Sequence, residues 1–392
     1  MSMPRVLLVL FYSGIVVILF LGCGKSRRES DFVIHTTSES KVKRIQVLSN
    51  PAIHLSHAVE LFVWPGEYPT RPMAVAAQKH FEPYKDHPAI EFSDSLLLNE
   101  VFYFDELTEV LLYLEDFPST EFKHPLENSP YKGQEKVFEK WISLLADLYK
   151  DSNFDSFLVE NGDFYEGAIQ EVRNNLPSDN FIELIESFYR EEKLSFTIIP
   201  APEMPTGGEY GQRGIGPYVY TSDGMQIYQV ISASLPVEKD SITNTYTYFG
   251  FDNKDFILRN SYHEFGHAFV NPILLKEENQ ELFNQHRHLF TPELQAVMTK
   301  QNYGNWFDCM AEHLVRLGEI RLAERSGNTT WARELREYHT DSLDFVFLPE
   351  FEKLIKQYEA DESYRSFESF LPELIGSLNQ ITPSQVNLRL EK

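Results

Sequence analysis

His263, Glu264 and His267 stand in the stretch Arg259-Asn-Ser-Tyr-His-Glu-Phe-Gly-His-Ala-Phe-Val-Asn-Pro272 with the spacing H-E-x-x-H. Residues four apart on a helix lie one above the other on the same face, so the two imidazoles can chelate a single ion. Glu264 sits at the rim of that face, where its carboxylate can take a proton from a metal-activated water without binding the metal itself. The context predicts a helix: Ile257, Phe265, Ala268 and Phe269 give it an apolar flank, and Asn271-Pro272 marks its expected stop. A chain with twelve histidines in 392 residues meets this pattern by accident in only ~3% of cases. The alternative is a pair of histidines on a solvated helix.

A catalytic zinc takes three protein ligands and keeps a position for water. The metzincin pattern places a third histidine six residues after the second, but that position is Ile273. A glutamate on a later helix is the other common solution, and residues 305 to 323 supply one. Asp308, Glu312 and Glu319 share a narrow stripe there, while Phe307, Met310, Leu314, Leu317 and Leu322 fill much of the rest. A helix this apolar is buried, and a carboxylate on it needs a partner. Glu312 is the expected ligand, and Asp308, one turn earlier, is expected to accept the free ring N–H of a metal-bound histidine. Ordinary ion pairs with Arg316 and Arg321 would explain the same acids. His313, about a quarter-turn away, reads as structural. Tyr338 and His339 follow this helix and could stabilise a developing oxyanion, or could equally be surface residues.

Around these motifs the periodicity predicts an α+β fold, mostly helical with a small mixed sheet beside the H-E-x-x-H helix. Helical spacing runs over 55–62, 68–84, 96–114, 136–149, 169–176 and 181–189, so the chain is helical to about residue 193. Extended runs follow at 195–200, 217–221 and 226–233, with 243–251 either a strand or a turn. Residues 201 to 216 carry five glycines and read as a long loop, with 207–216 a candidate gate over the site. Further helices are expected at 292–298, 306–325, 331–338, 350–358 and 367–378.

The formal charge is −24, with a pI near 4.9 and no basic cluster beyond the amino terminus, which argues against nucleic acid as a partner. Residues 6 to 22 are apolar or small and end in Phe20-Leu-Gly-Cys23. This resembles the lipobox of bacterial lipoproteins, with Cys23 the residue that would carry lipid. An uncleaved membrane helix is the alternative, and Lys25, Arg27 and Arg28 behind the run would then place the body in the cytoplasm. The expected organisation is a signal peptide over 1–22, a polar tether over 23–45, one domain over 46–382 and a tail over 383–392. Within that domain the sheet takes 195–251, and the two ligand-bearing helices fall within 256–380. The remaining cysteine, Cys309, has no partner if Cys23 is lipidated.

H-E-F-G-H-A-F-V-N-P with a downstream A-E-H helix resembles the gluzincin metallopeptidases. The wider layout, with N-P-A-I-H-L-S-H-A-V-E-L and H-F-E-P-Y-K-D-H-P-A-I, is similar to a family of exported bacterial proteins described as a domain of unknown function and frequent in the Bacteroidetes. That similarity spans roughly residues 45 to 380. It implies a zincin-like fold, while the expectation of one Zn2+ on His263, His267 and Glu312 rests on the motif, Glu312 lying at an interval common in glutamate-ligand zincins. The gluzincin resemblance further implies a strand edge beside the active helix that aligns a peptide by β-augmentation, with Gln226 to Ala233 the candidate. The expected function is a membrane-tethered zinc metallopeptidase of the bacterial cell envelope, periplasmic or outer-membrane, acting on a peptide or protein substrate with Glu264 as base. A non-catalytic envelope binding protein on the same scaffold is the rival, and a non-peptidase zinc hydrolase shares the motif.

Overall fold

The computed structural model describes residues 43–63, 70–98, 102–206 and 211–391. The expected signal peptide, Cys23 and nearly all of the tether lie outside them, as do residues 207–210 of the glycine-rich loop. Lys43–Lys392 form one compact unit. Strand β1 (Gln46–Val47) leads into helices α1 (Pro51–Val63), α2 (Pro72–Phe81), α3 (Pro88–Leu98), α4 (Phe104–Leu111), α5 (Glu135–Asp151), α6 (Phe154–Glu160), α7 (Gly162–Asn174) and α8 (Phe181–Tyr189). Six strands follow: β2 (Ser195–Pro200), β3 (Gly214–Ile215), β4 (Tyr218–Thr221), β5 (Gly224–Ile231), β6 (Glu238–Lys239) and β7 (Tyr246–Tyr248). The chain ends with α9 (Lys254–Leu274), α10 (Glu277–Asn284), α11 (Pro292–Thr299), α12 (Trp306–Arg325), α13 (Thr329–Glu337), α14 (Leu348–Ala360), α15 (Phe367–Gly376) and α16 (Pro383–Leu390).

The main sheet separates two hydrophobic cores. β1, β2 and β5 run parallel, while β3 and β4 pair antiparallel with successive parts of the far edge of β5. Side chains alternate across a strand, and the two faces divide accordingly. Phe196, Ile198, Ile227 and Ile231 join the core under α9 and α12, whereas Ile199, Ile215, Val219 and Val230 join the core of the amino-terminal helices. α5 shows why those helices form: Phe138, Trp141, Ile142, Leu145 and Tyr149 recur at helical spacing and are all buried. Asn253 and Asn305 cap α9 and α12, their side-chain oxygens accepting the backbone N–H of Phe256 and Asp308.

Several expectations need correction. The Gln226–Ala233 run is not a free edge, because β2 and β3–β4 occupy its two sides; the edge nearest α9 is β3, a glycine-bounded pair too short to show a period. α9 does not stop at Asn271 but continues through Pro272 to Leu274, since a proline near the last turn forfeits one hydrogen bond without ending the helix. The 96–114 span is two helices, and the doubtful 243–251 run contains β7, which pairs with β6 in a separate small sheet. The expected tail forms α16, anchored by the fully buried Val386.

α9 and α12 pack side by side, and Gly318 of α12 makes room for Tyr189 of α8 beside them. A Cβ at Gly318 would stand 2.3 Å from the Tyr189 hydroxyl, whereas one at Gly266 would meet it at an ordinary 3.5 Å contact. Tyr189 cannot simply swing away, because its ring is stacked on Phe269 at 4.6 Å between centroids. Gly318→Ala should therefore lose ~1–3 kcal/mol in urea unfolding despite the better helix propensity of alanine. Adding Tyr189→Phe, which deletes the colliding oxygen, should recover part of that loss.

Candidate metal centre

α9 and α12 bring His263, His267 and Glu312 to one point, with a ligand atom from each lying within 4.8 Å of the others. The two Nε2 atoms are 3.3 Å apart, and Glu312 Oε1 lies 3.3 Å from His267 Nε2. Donors on a tetrahedral zinc at ~2.0–2.1 Å stand ~3.3 Å from one another, so the spacing suits that ion. The other ring nitrogens are already engaged. His263 Nδ1 donates to Glu319 Oε1 at 2.6 Å, and His267 Nδ1 faces Asn271 Oδ1 at 3.3 Å. These contacts orient both Nε2 lone pairs toward the shared point.

The electrostatics also suit a cation. Glu312 is 5% exposed; burial raises its pKa, but Arg316 and the two histidines outweigh it and hold the carboxyl down at about 2. Its Oε2 lies 3.0 Å from an Arg316 Nη2 yet makes no aligned hydrogen bond, so a buried ligand oxygen remains available. Burial pulls the His267 pKa down, but Glu312 beside it raises it to about 9. A bound cation must displace that proton, so metal uptake should weaken as pH falls. Glu319 is pushed up by burial yet held well below the usual carboxylate range by His339 and His263.

Glu264 is buried next to the histidines but is not among the converging ligand groups. Burial raises its pKa, the direction a general base working near neutrality requires. Strand β3 lies directly against it. A Cβ at Gly214 would come within 2.5 Å of Glu264 Oε1, and one at Gly216 within 2.2 Å of its carbonyl oxygen. Only glycine allows the strand this close.

The remaining expected site residues fall elsewhere. Asp308 contacts neither histidine ring; its Oδ2 accepts from Asn305 Nδ2 at 2.6 Å, and burial and Glu312 raise its pKa to about 6. The position expected of it belongs to Glu319, two turns further along the stripe from Glu312. Tyr338 is 49% exposed, and His339 is buried, its Nε2 donating to Glu319 Oε2 at 3.1 Å. His339 therefore supports the support rather than facing the metal position. It lies in a short π-helical turn, Tyr338–Ser342, which follows α13. His313 is buried with Nδ1 on the Cys309 carbonyl, in keeping with a structural part. Arg316 pairs with Glu312 and Glu319, whereas Arg321 pairs with Glu324 and Glu359.

Sequence reasoning missed Tyr303, whose hydroxyl accepts from Arg316 Nη2 at 3.2 Å, the nitrogen that also meets Glu312. Burial and the Glu312 charge raise its pKa, so the phenol stays a proton donor. Nothing in the turn Gln301-Asn-Tyr-Gly304 marks it out. Glu319 did carry a signal, a second buried acid on the ligand stripe. Glu319→Gln should weaken zinc binding ~10–100-fold in competition with a chromophoric chelator, while Asp308→Asn should leave it unchanged.

Among the described residues, no helix is long and apolar enough to cross a membrane. No curated protein and no solved structure matches the chain. A family model described as "Domain of unknown function (DUF4932)" matches residues 40–377, so the chain belongs to that family.

Proposed function

We propose that this protein is a zinc-dependent metallopeptidase of zincin-like fold, anchored in the bacterial cell envelope through lipid on Cys23. The observation that carries the reading is Glu264: a buried, unligated carboxylate with a raised pKa, set between two converging imidazoles and a strand edge. A zinc ion held by His263, His267 and Glu312 would lower the pKa of water toward ~7 and polarise a substrate carbonyl.

Glu264 then takes the proton from the attacking water and returns it to the leaving amine. The open backbone of Gly214 and Gly216, partly exposed beside it, offers an extended peptide hydrogen bonds that fix its carbonyl at the site. Tyr303, kept protonated and held by Arg316, supplies an O–H for the charge that develops on that carbonyl oxygen. Tyr338 and His339 have no place in this arrangement.

Glu264→Gln separates catalysis from binding, since it keeps size and removes the base. Zinc content and melting temperature should stay at wild-type values, while hydrolysis of a peptide library read by mass spectrometry falls at least ~10²-fold. A zinc-loaded wild type that cleaves nothing would overturn the peptidase reading in favour of a binding protein.

A further inference from the structure

The edge strand beside Glu264 is open over only part of its length. Along residues 213–221 the backbone groups alternate. The carbonyls of Arg213 and Pro217 accept from Ser232 and Tyr228 of the β5 segment, so the odd-numbered residues point inward. The even-numbered residues, Gly214, Gly216, Tyr218 and Tyr220, therefore present their N–H and C=O groups outward. The last two are already engaged. Tyr218 N–H donates to Glu109 Oε2 at 3.0 Å, and Tyr220 N–H donates to the Tyr113 hydroxyl at 3.2 Å. Both partners are buried, Glu109 at 6% exposure on α4 and Tyr113 at 0% just beyond it. The amino end of α4 also reaches the site. Asp105 pairs with Arg213 and acts on the charge of Glu264, and Glu106 acts on that of Asp308.

An added strand pairs best antiparallel, so a peptide lying on 214–220 has its amino-terminal residues toward Tyr218 and Tyr220. With its scissile carbonyl beside Glu264, the stretch open to residues preceding that carbonyl ends at Gly216. We infer that the cleft is closed by α4 on the amino-terminal side of the scissile bond, so that the substrate is a peptide with a free amino end from which one or two residues are released. This inference rests on the peptidase reading and names its substrate class.

Two measurements test it. Wild-type enzyme given linear decapeptides, their amino-terminally acetylated forms and their head-to-tail cyclic forms should cut only the free linear peptides, at the first or second bond. Internal cleavage, or acetylated peptides cut at the same rate, would overturn the inference while leaving the peptidase reading in place. Zinc-loaded Glu264→Gln should bind free amino-acid hydroxamates at least ~10-fold tighter than acetyl-tetrapeptide hydroxamates; equal or tighter binding of the longer ligands would overturn it without any reliance on turnover. If neither class binds in a zinc-dependent way, the metal reading itself fails and takes this inference with it.

Discussion

Glu312 and Glu319 enter the interior of the protein on a single helix, and the arrangement of the site follows from how those two charges are neutralised. A buried carboxylate persists only when paired, and removing one partner of such a pair costs ~3–5 kcal/mol. Arg316 lies between them on the same helix, while His263 and His339 approach Glu319 from α9 and from the turn after α13. Because Glu319 takes Nδ1 of His263, the opposite ring nitrogen is left to face His267 and Glu312. The same ion pairs that make α12 tolerable in the core thus turn the His263 Nε2 atom toward His267 and Glu312.

The close approach of α9 to α12 and of β3 to α9 completes the frame. Gly318 leaves room for Tyr189 of α8 against α12, and Gly214 and Gly216 let the strand lie on Glu264. The sheet then divides the molecule, with the converging His263, His267 and Glu312 on the side of the carboxyl-terminal helices. α4, from the amino-terminal half, reaches over the edge of the sheet to the rim of the site. Residues from both halves of the chain therefore meet along this edge.

Much of this was legible in the sequence where a period or a fixed spacing carries it. The H-E-x-x-H spacing places two imidazoles on one face of a helix, and the acidic stripe on 305–323 contains the carboxylate that meets them. The stripe could not say which acid does what: Asp308 and Glu319 lie one turn before and two turns after Glu312, and only the crossing of α9 decides that Glu319 meets His263. The extended run Gln226–Ala233 reads as a strand and supplies most of β5, but its place inside the sheet depends on β3, two residues among glycines with no pattern of their own. Tyr303 sits in a turn and was invisible for the same reason. Short elements and loop residues take their positions from tertiary contacts that local sequence does not encode.

The central claim is that one zinc is held by two imidazoles and a carboxylate, with no thiolate. X-ray absorption on the zinc-loaded protein tests it directly, since nitrogen and oxygen ligands lie at ~2.0–2.2 Å and sulfur at ~2.3 Å. The account predicts a nitrogen and oxygen shell with the multiple-scattering signature of two imidazoles, unchanged in Cys309→Ser. A sulfur shell, or an imidazole signature that survives replacement of both His263 and His267 by alanine, would contradict it.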